Sequence, residues 1–145
     1  MTAGYGAVWL IGPGVIYRID PATARTVATI PALGTGGKPS GIATGAGAVW
    51  ATRPGRRPGV YRIDPRTNRV TAFIGLPPTP TGITVAHGLV WATVAKEGPG
   101  IVVRIDPRVN RVSGPSHQGP YSRSAVVATV RSHWGLVEGP TPTLK

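Results

Sequence analysis

Four tryptophans, Trp9, Trp50, Trp91 and Trp134, stand 41, 41 and 43 residues apart in a chain of 145. Between them a second phrase recurs: Arg18-Ile19-Asp20-Pro21, Arg62-Ile63-Asp64-Pro65 and Arg104-Ile105-Asp106-Pro107. A period of about 40–45 residues made of short apolar runs is the spacing of one four-stranded β-propeller blade. Such a chain uses most of its residues for packing and turns, so few remain for chemistry.

The second repeat predicts its strands most clearly. Gly41-Ile42-Ala43-Thr44 reads as a short inner strand, and Ala48-Val49-Trp50-Ala51-Thr52 as a second, rich in β-formers. The stretch Arg53-Pro54-Gly55-Arg56-Arg57-Pro58-Gly59 is a loop, because its prolines have no N–H for a ladder. Val60 to Ile63 and Val70 to Ile74 complete the meander on either side of an Asp-Pro turn. The third repeat predicts strands at 83–85, 89–93, 101–105 and 111–113. The first is expected to lack its innermost strand and to begin at Ala7-Val8-Trp9-Leu10-Ile11.

A degenerate fourth repeat is expected at about 121–138. There Ala125-Val126-Val127-Ala128 opens nine residues before Trp134, as Gly41 and Gly82 open nine before theirs. The expected fold is therefore all-β: one partial β-propeller spanning 1–145. It would hold about three four-stranded antiparallel blades, at about 4–31, 41–74 and 82–114, plus the degenerate fourth.

Twenty-one Gly and 16 Pro fall at regular intervals between the apolar runs, which makes them turn residues. No cysteine is present, so disulfides and thiolate metal sites are excluded. No apolar run approaches the roughly 18 residues of a membrane span, and Met1-Thr2-Ala3-Gly4-Tyr5 does not read as a signal peptide. The default compartment is then the cytoplasm, or an extracytoplasmic one if the chain belongs to a secreted parent. The net charge of +11 would attract phosphate or carboxylate partners. Arginine supplies 13 of the 16 cations, consistent also with a compositional bias spread over solvated faces.

All three aspartates lie in the repeated Arg-Ile-Asp-Pro phrase. Aspartate before proline accepts from a backbone N–H two residues on, while proline presets the turn. Asp20, Asp64 and Asp106 are therefore turn formers, and none is left for a catalytic pair. Arg62 and Asp64 share one side of a strand end, which predicts a local ion pair. The tryptophans are read as blade-to-blade packing. His87, His117 and His133 show no metal-ligand spacing, and no nucleophile–base set or phosphate loop stands out. No catalytic residue, metal or cofactor is expected.

The sequences Gly-Ala-Val-Trp, Arg-Ile-Asp-Pro-x-Thr and Pro-x-Gly-Ile resemble the YVTN-type β-propeller repeats of bacteria, over residues 4 to about 114. They are also similar to the blades of streptogramin (virginiamycin B) lyases. That second resemblance implies a lyase using histidine and glutamate with magnesium on a cyclic depsipeptide's ester linkage. Lyase blades often read Trp-Phe-Thr-Glu on the second strand. Here the runs are Trp50-Ala51-Thr52-Arg53 and Trp91-Ala92-Thr93-Val94, and the only glutamates are Glu97 and Glu138.

Three blades and part of a fourth are fewer than the four to eight that close a ring. The chain is expected to be a piece of a longer propeller; the competing reading is a homodimer that closes six blades, each terminus completing the other's. Loops joining strands two and three emerge on the same face as loops joining blade to blade. That face is expected to carry Arg53, Arg56, Arg57, Lys96 and Lys38, with His117 nearby. Guanidinium forks there suit an anionic small molecule or protein. The function expected is thus non-catalytic binding or scaffolding, with lyase chemistry and non-specific nucleic-acid binding as alternatives. Nucleic acid ranks low because no aromatic platform interleaves with the basic residues.

Overall fold

The computed structural model describes residues 1–31, 39–76, 79–94, 100–114 and 117–119, and these form strands and turns without a helix. The first sheet runs β1 (Thr2–Gly4), β2 (Ala7–Ile11), β3 (Ile16–Ile19) and β4 (Thr26–Ile30). The second runs β5 (Ile42–Gly45), β6 (Ala48–Arg53), β7 (Gly59–Asp64) and β8 (Arg69–Gly75). The third runs β9 (Pro80–Ala86), β10 (Leu89–Val94) and β11 (Gly100–Asp106). Its outer position is shared by β12 (Arg111–Val112) and β13 (His117–Gly119), both paired with β11. Each sheet is an antiparallel meander, as the repeat predicts. The degenerate repeat at 121–138 lies outside the described residues.

Two expectations are corrected. The first repeat does have an inner strand: Thr2, Ala3 and Gly4 pair with Trp9, Val8 and Ala7. Its residues are small because the inner strands of neighbouring blades approach closely. A Cβ on Gly4 would stand 2.6 Å from Thr44 Oγ1, and Thr44 Oγ1 donates to the Ala3 carbonyl at 2.7 Å. With that position filled, no terminus from elsewhere is needed to complete the first blade. His117, expected in the loop face, instead lies in β13, with its backbone opposite Val102.

The turns follow local stereochemistry. Strands one and two join through Tyr5-Gly6, Ala46-Gly47 and His87-Gly88, all at positive φ. Two consecutive left-handed residues make the turn that suits the twist of a hairpin. Strands three and four join through the aspartate turns. Asp20, Asp64 and Asp106 each accept from the backbone N–H two residues on at 2.8 Å, as expected.

Between blades, side chains interlock in a repeated pattern. Trp9, Ile16 and Ile30 pack against Ile42, Val49, Ala51 and Ile63 of the second blade. Trp50, Val60 and Ile74 pack likewise against Ile83, Val90, Ala92 and Ile105 of the third. Trp9 and Trp50 are fully buried, and each indole N–H donates to an inner-strand carbonyl, of Gly4 and Gly45, at 3.0 Å. An indole buries roughly 150–250 Å². At ~25 cal/mol per Å² this contributes at most about 4–6 kcal/mol.

The recurring arginine has a role that spacing along the chain does not reveal. Arg62 forms no ion pair with Asp64. Its guanidinium lies 5.4 Å from the Trp50 ring centroid, and Nη1 donates to the Pro107 carbonyl at 2.8 Å and to Asn110 Oδ1 at 2.9 Å. Arg18 repeats this over Trp9, reaching Pro65 O at 2.9 Å and Asn68 Oδ1 at 3.1 Å. The arginine of one blade thus clamps the Asp-Pro-x-x-Asn turn of the next.

Candidate functional site

Arg53 is the last residue of β6, and Arg56 and Arg57 follow in the loop to β7. Pro54 and Pro58 bracket this loop and remove two ladder donors, so the chain leaves the sheet there. Arg56 and Arg57 are exposed and Arg53 is half-buried. Lys38 and Lys96, expected beside them, lie outside the described residues, so three of the five rim cations have a described place.

Arg53 is held by two rings. Its guanidinium carbon stands 5.9 Å from the Tyr61 centroid and 5.7 Å from that of Phe73. The two rings are 5.2 Å apart and tilted by 50°. They meet because Tyr61 and Phe73 are directly opposed on β7 and β8. The close approach is enforced at Gly59, where a Cβ would stand 2.6 Å from the Phe73 ring. Phe73 remains 38% exposed, so part of this surface is open to a partner.

An aromatic pair therefore does adjoin the basic loop, contrary to the expectation. The linear sequence hides it because Tyr61 and Phe73 lie 8 and 20 residues beyond Arg53. The signal that would find it is strand register. A cation stacked on rings loses less freedom when it binds an anion than one on a free stem. The arrangement presents one guanidinium stacked on rings and two exposed ones, donors only, in a surface that suits carboxylate or phosphate oxygens.

The opposite face carries the aspartate turns and His87, which is exposed there. Between the second and third blades lies an open depression of about 320 Å³, lined by Gly47, Arg62, Asp64, Arg66, Thr71 and Asn110. Its central groups are already committed, Arg62 to the clamp and Asp64 to its turn. The Arg66 backbone N–H holds the Asp64 carboxyl below its ordinary pKa. The Arg108 backbone N–H, followed by its side chain, does the same at Asp106. Arg108 and Asp106 also form an exposed ion pair at 3.3 Å.

Comparison with known proteins bears on the fold. No family model and no curated protein sequence matches the chain. Among solved structures it is similar to Kuenenia stuttgartiensis hydrazine synthase, with a TM-score of 0.69 at 12% identity. The fold is a partial β-propeller. The match covers 81% of this chain and 34% of the other, so the chain spans about a third of that protein's length. At this identity the likeness is one of fold, and fold alone assigns no function. Among the described residues no helix is long and apolar enough to cross a membrane.

Proposed function

We propose that this chain is a non-catalytic binding module of the YVTN-like kind, which takes an anionic ligand or acidic protein segment on the β6–β7 loop face. The observation that carries the reading is Arg53, ordered over Tyr61 and Phe73, beside exposed Arg56 and Arg57. Lys38 and Lys96 belong to the same proposed rim. Each exposed guanidinium–carboxylate contact contributes about 0.2–1 kcal/mol when formed.

The test is a titration with a fluorescent oligoglutamate peptide at fixed ionic strength. Replacing Arg56 and Arg57 together by alanine should weaken binding about two- to thirtyfold. Arg108→Ala, on the opposite face, should leave binding unchanged. Losses in proportion to the charge removed, two for the rim pair and one for Arg108→Ala, would mean that only net charge matters, and the rim assignment would fail.

A second reading, a single-stranded nucleic acid laid across the same rim, gains support from the rings beside Arg53. Bases stack on such rings, and phosphate contacts make affinity fall steeply with salt. Binding of a random oligonucleotide that weakened on Phe73→Ala as well as with salt would favour it. The lyase alternative would be favoured by magnesium-dependent cleavage of a cyclic depsipeptide. Its candidate acids, Glu97 and Glu138, lie outside the described residues.

A further inference from the structure

Each blade closes its aspartate turn with an exposed arginine. The turns read Asp20-Pro21-Ala22-Thr23-Ala24-Arg25, Asp64-Pro65-Arg66-Thr67-Asn68-Arg69 and Asp106-Pro107-Arg108-Val109-Asn110-Arg111. Their backbones match, with φ of 54° at Ala24, 56° at Asn68 and 54° at Asn110. Arg25, Arg69 and Arg111 therefore hold the same place on successive blades. Arg66 and Arg108 add a second exposed cation to the second and third turns. The Arg18 clamp ties the second turn to the first blade, and the Arg62 clamp ties the third turn to the second. The spacing of the row is thus built into the stack of blades.

This charge exceeds what the chain can neutralise. The whole sequence holds five acidic residues, and three of them are the aspartates of these turns. Each aspartate is half-buried and accepts from a backbone N–H of its own turn. In the Arg108–Asp106 ion pair the aspartate side chain is 18% exposed and the arginine side chain 85%, so the cation projects while the anion is withdrawn. Glu97 and Glu138 remain, two carboxylates for five arginines.

The same end of the blades exposes apolar side chains. Hairpins between strands one and two and turns between strands three and four leave an antiparallel meander at one end. Tyr5, in the first such hairpin, is 41% exposed, and Val109, in the third aspartate turn, is 60% exposed. Val70 and Val112 each follow an arginine of the row and are exposed as well. A duplex phosphate backbone would engage the arginines and leave these side chains in water. An anionic bilayer surface takes both, since its headgroups attract cations and its interface accepts tyrosine and aliphatic side chains. We propose that the aspartate-turn face docks peripherally on an anionic lipid bilayer. Arg25, Arg66, Arg69, Arg108 and Arg111 meet the lipid phosphates and carboxylates, and Tyr5 and Val109 enter the headgroup layer. The proposal does not rest on the anion-binding reading of the β6–β7 loop, which lies on the opposite face.

The experiment is cosedimentation of the full chain with vesicles of phosphatidylcholine alone or mixed equally with phosphatidylserine. Binding is expected to the mixed vesicles and should weaken as salt rises. Arg25→Gln with Arg69→Gln and Arg111→Gln should weaken it about a hundredfold, since each cation at such a surface is worth roughly fivefold. These three side chains are exposed, so the fold should tolerate the change. Arg53→Gln with Arg56→Gln and Arg57→Gln removes the same charge from the opposite face and should change binding by less than about threefold. Tyr5→Ser with Val109→Ser should weaken binding several-fold with no change of charge. Equal binding to both kinds of vesicle, equal losses from the two arginine triples, or no vesicle binding would overturn the proposal. So would a chain that retains random duplex DNA through Arg25, Arg69 and Arg111 while leaving the vesicles free.

Discussion

Arg18 and Arg62 each combine three contacts in one planar group: an indole face beneath it, a proline carbonyl and an asparagine amide ahead of it. Lysine could not reproduce this, since its compact ammonium lacks the flat surface and fork. The neighbouring aspartates act locally, and their protonation has a defined sign. Asp64 and Asp106 have folded-state pKa values below the reference 3.8, because backbone N–H groups favour the charged form. Their stabilisation is present above the unfolded value and is lost as pH falls through the folded one. Thermal midpoints should therefore drop as pH falls below about 4. In Asp64→Asn with Asp106→Asn the drop should be shallower, so that wild type and variant converge at the acid end. A constant gap between them would contradict the assignment.

At the scale of the strand, the recurrent threonine of β6 and β10 ties the inner strand to its neighbour. Thr52 Oγ1 accepts from the backbone N–H of Ser40 at 3.0 Å and of Gly41 at 2.8 Å. Thr93 Oγ1 lies 3.2 Å from Thr81 Oγ1 in the next blade. Thr52→Val keeps the shape and strands both donors, so it should cost about 1–3 kcal/mol in denaturant unfolding, with Thr52→Ser nearly neutral. Strands two and three were legible in the sequence because short apolar, β-forming runs recur there, one marked by the tryptophan and the other by the Arg-Ile-Asp-Pro phrase. The inner strand β1 was not, since Thr2-Ala3-Gly4 is kept small by the approach of Thr44. The outer strand of the third blade was read only in part. It breaks after Val112 and resumes at His117, with Gly114 at φ 78° between them. The rim arginines stood out as a cluster, whereas their aromatic supports did not, because register across strands brings them together.

For the whole molecule, the order of the sheets rests on contacts between residues about 45 positions apart. Inner strands touch in sequence, β1 to β5 and β5 to β9, and glycine keeps them close: a Cβ on Gly45 would stand 2.7 Å from Val85. The Arg–Trp clamps then fix the outer halves of the blades at the opposite edge of each interface. Repeat arrays gain much of their stability from such nearest-neighbour terms. The most direct measurement is a double-mutant cycle on unfolding free energy between Arg62→Met and Asn110→Gly. The glycine keeps the left-handed backbone and removes only the acceptor. Blades stacked through this clamp should give a coupling of about 1 kcal/mol or more. Effects that add to within about 0.4 kcal/mol would place the two residues on sheets that do not meet.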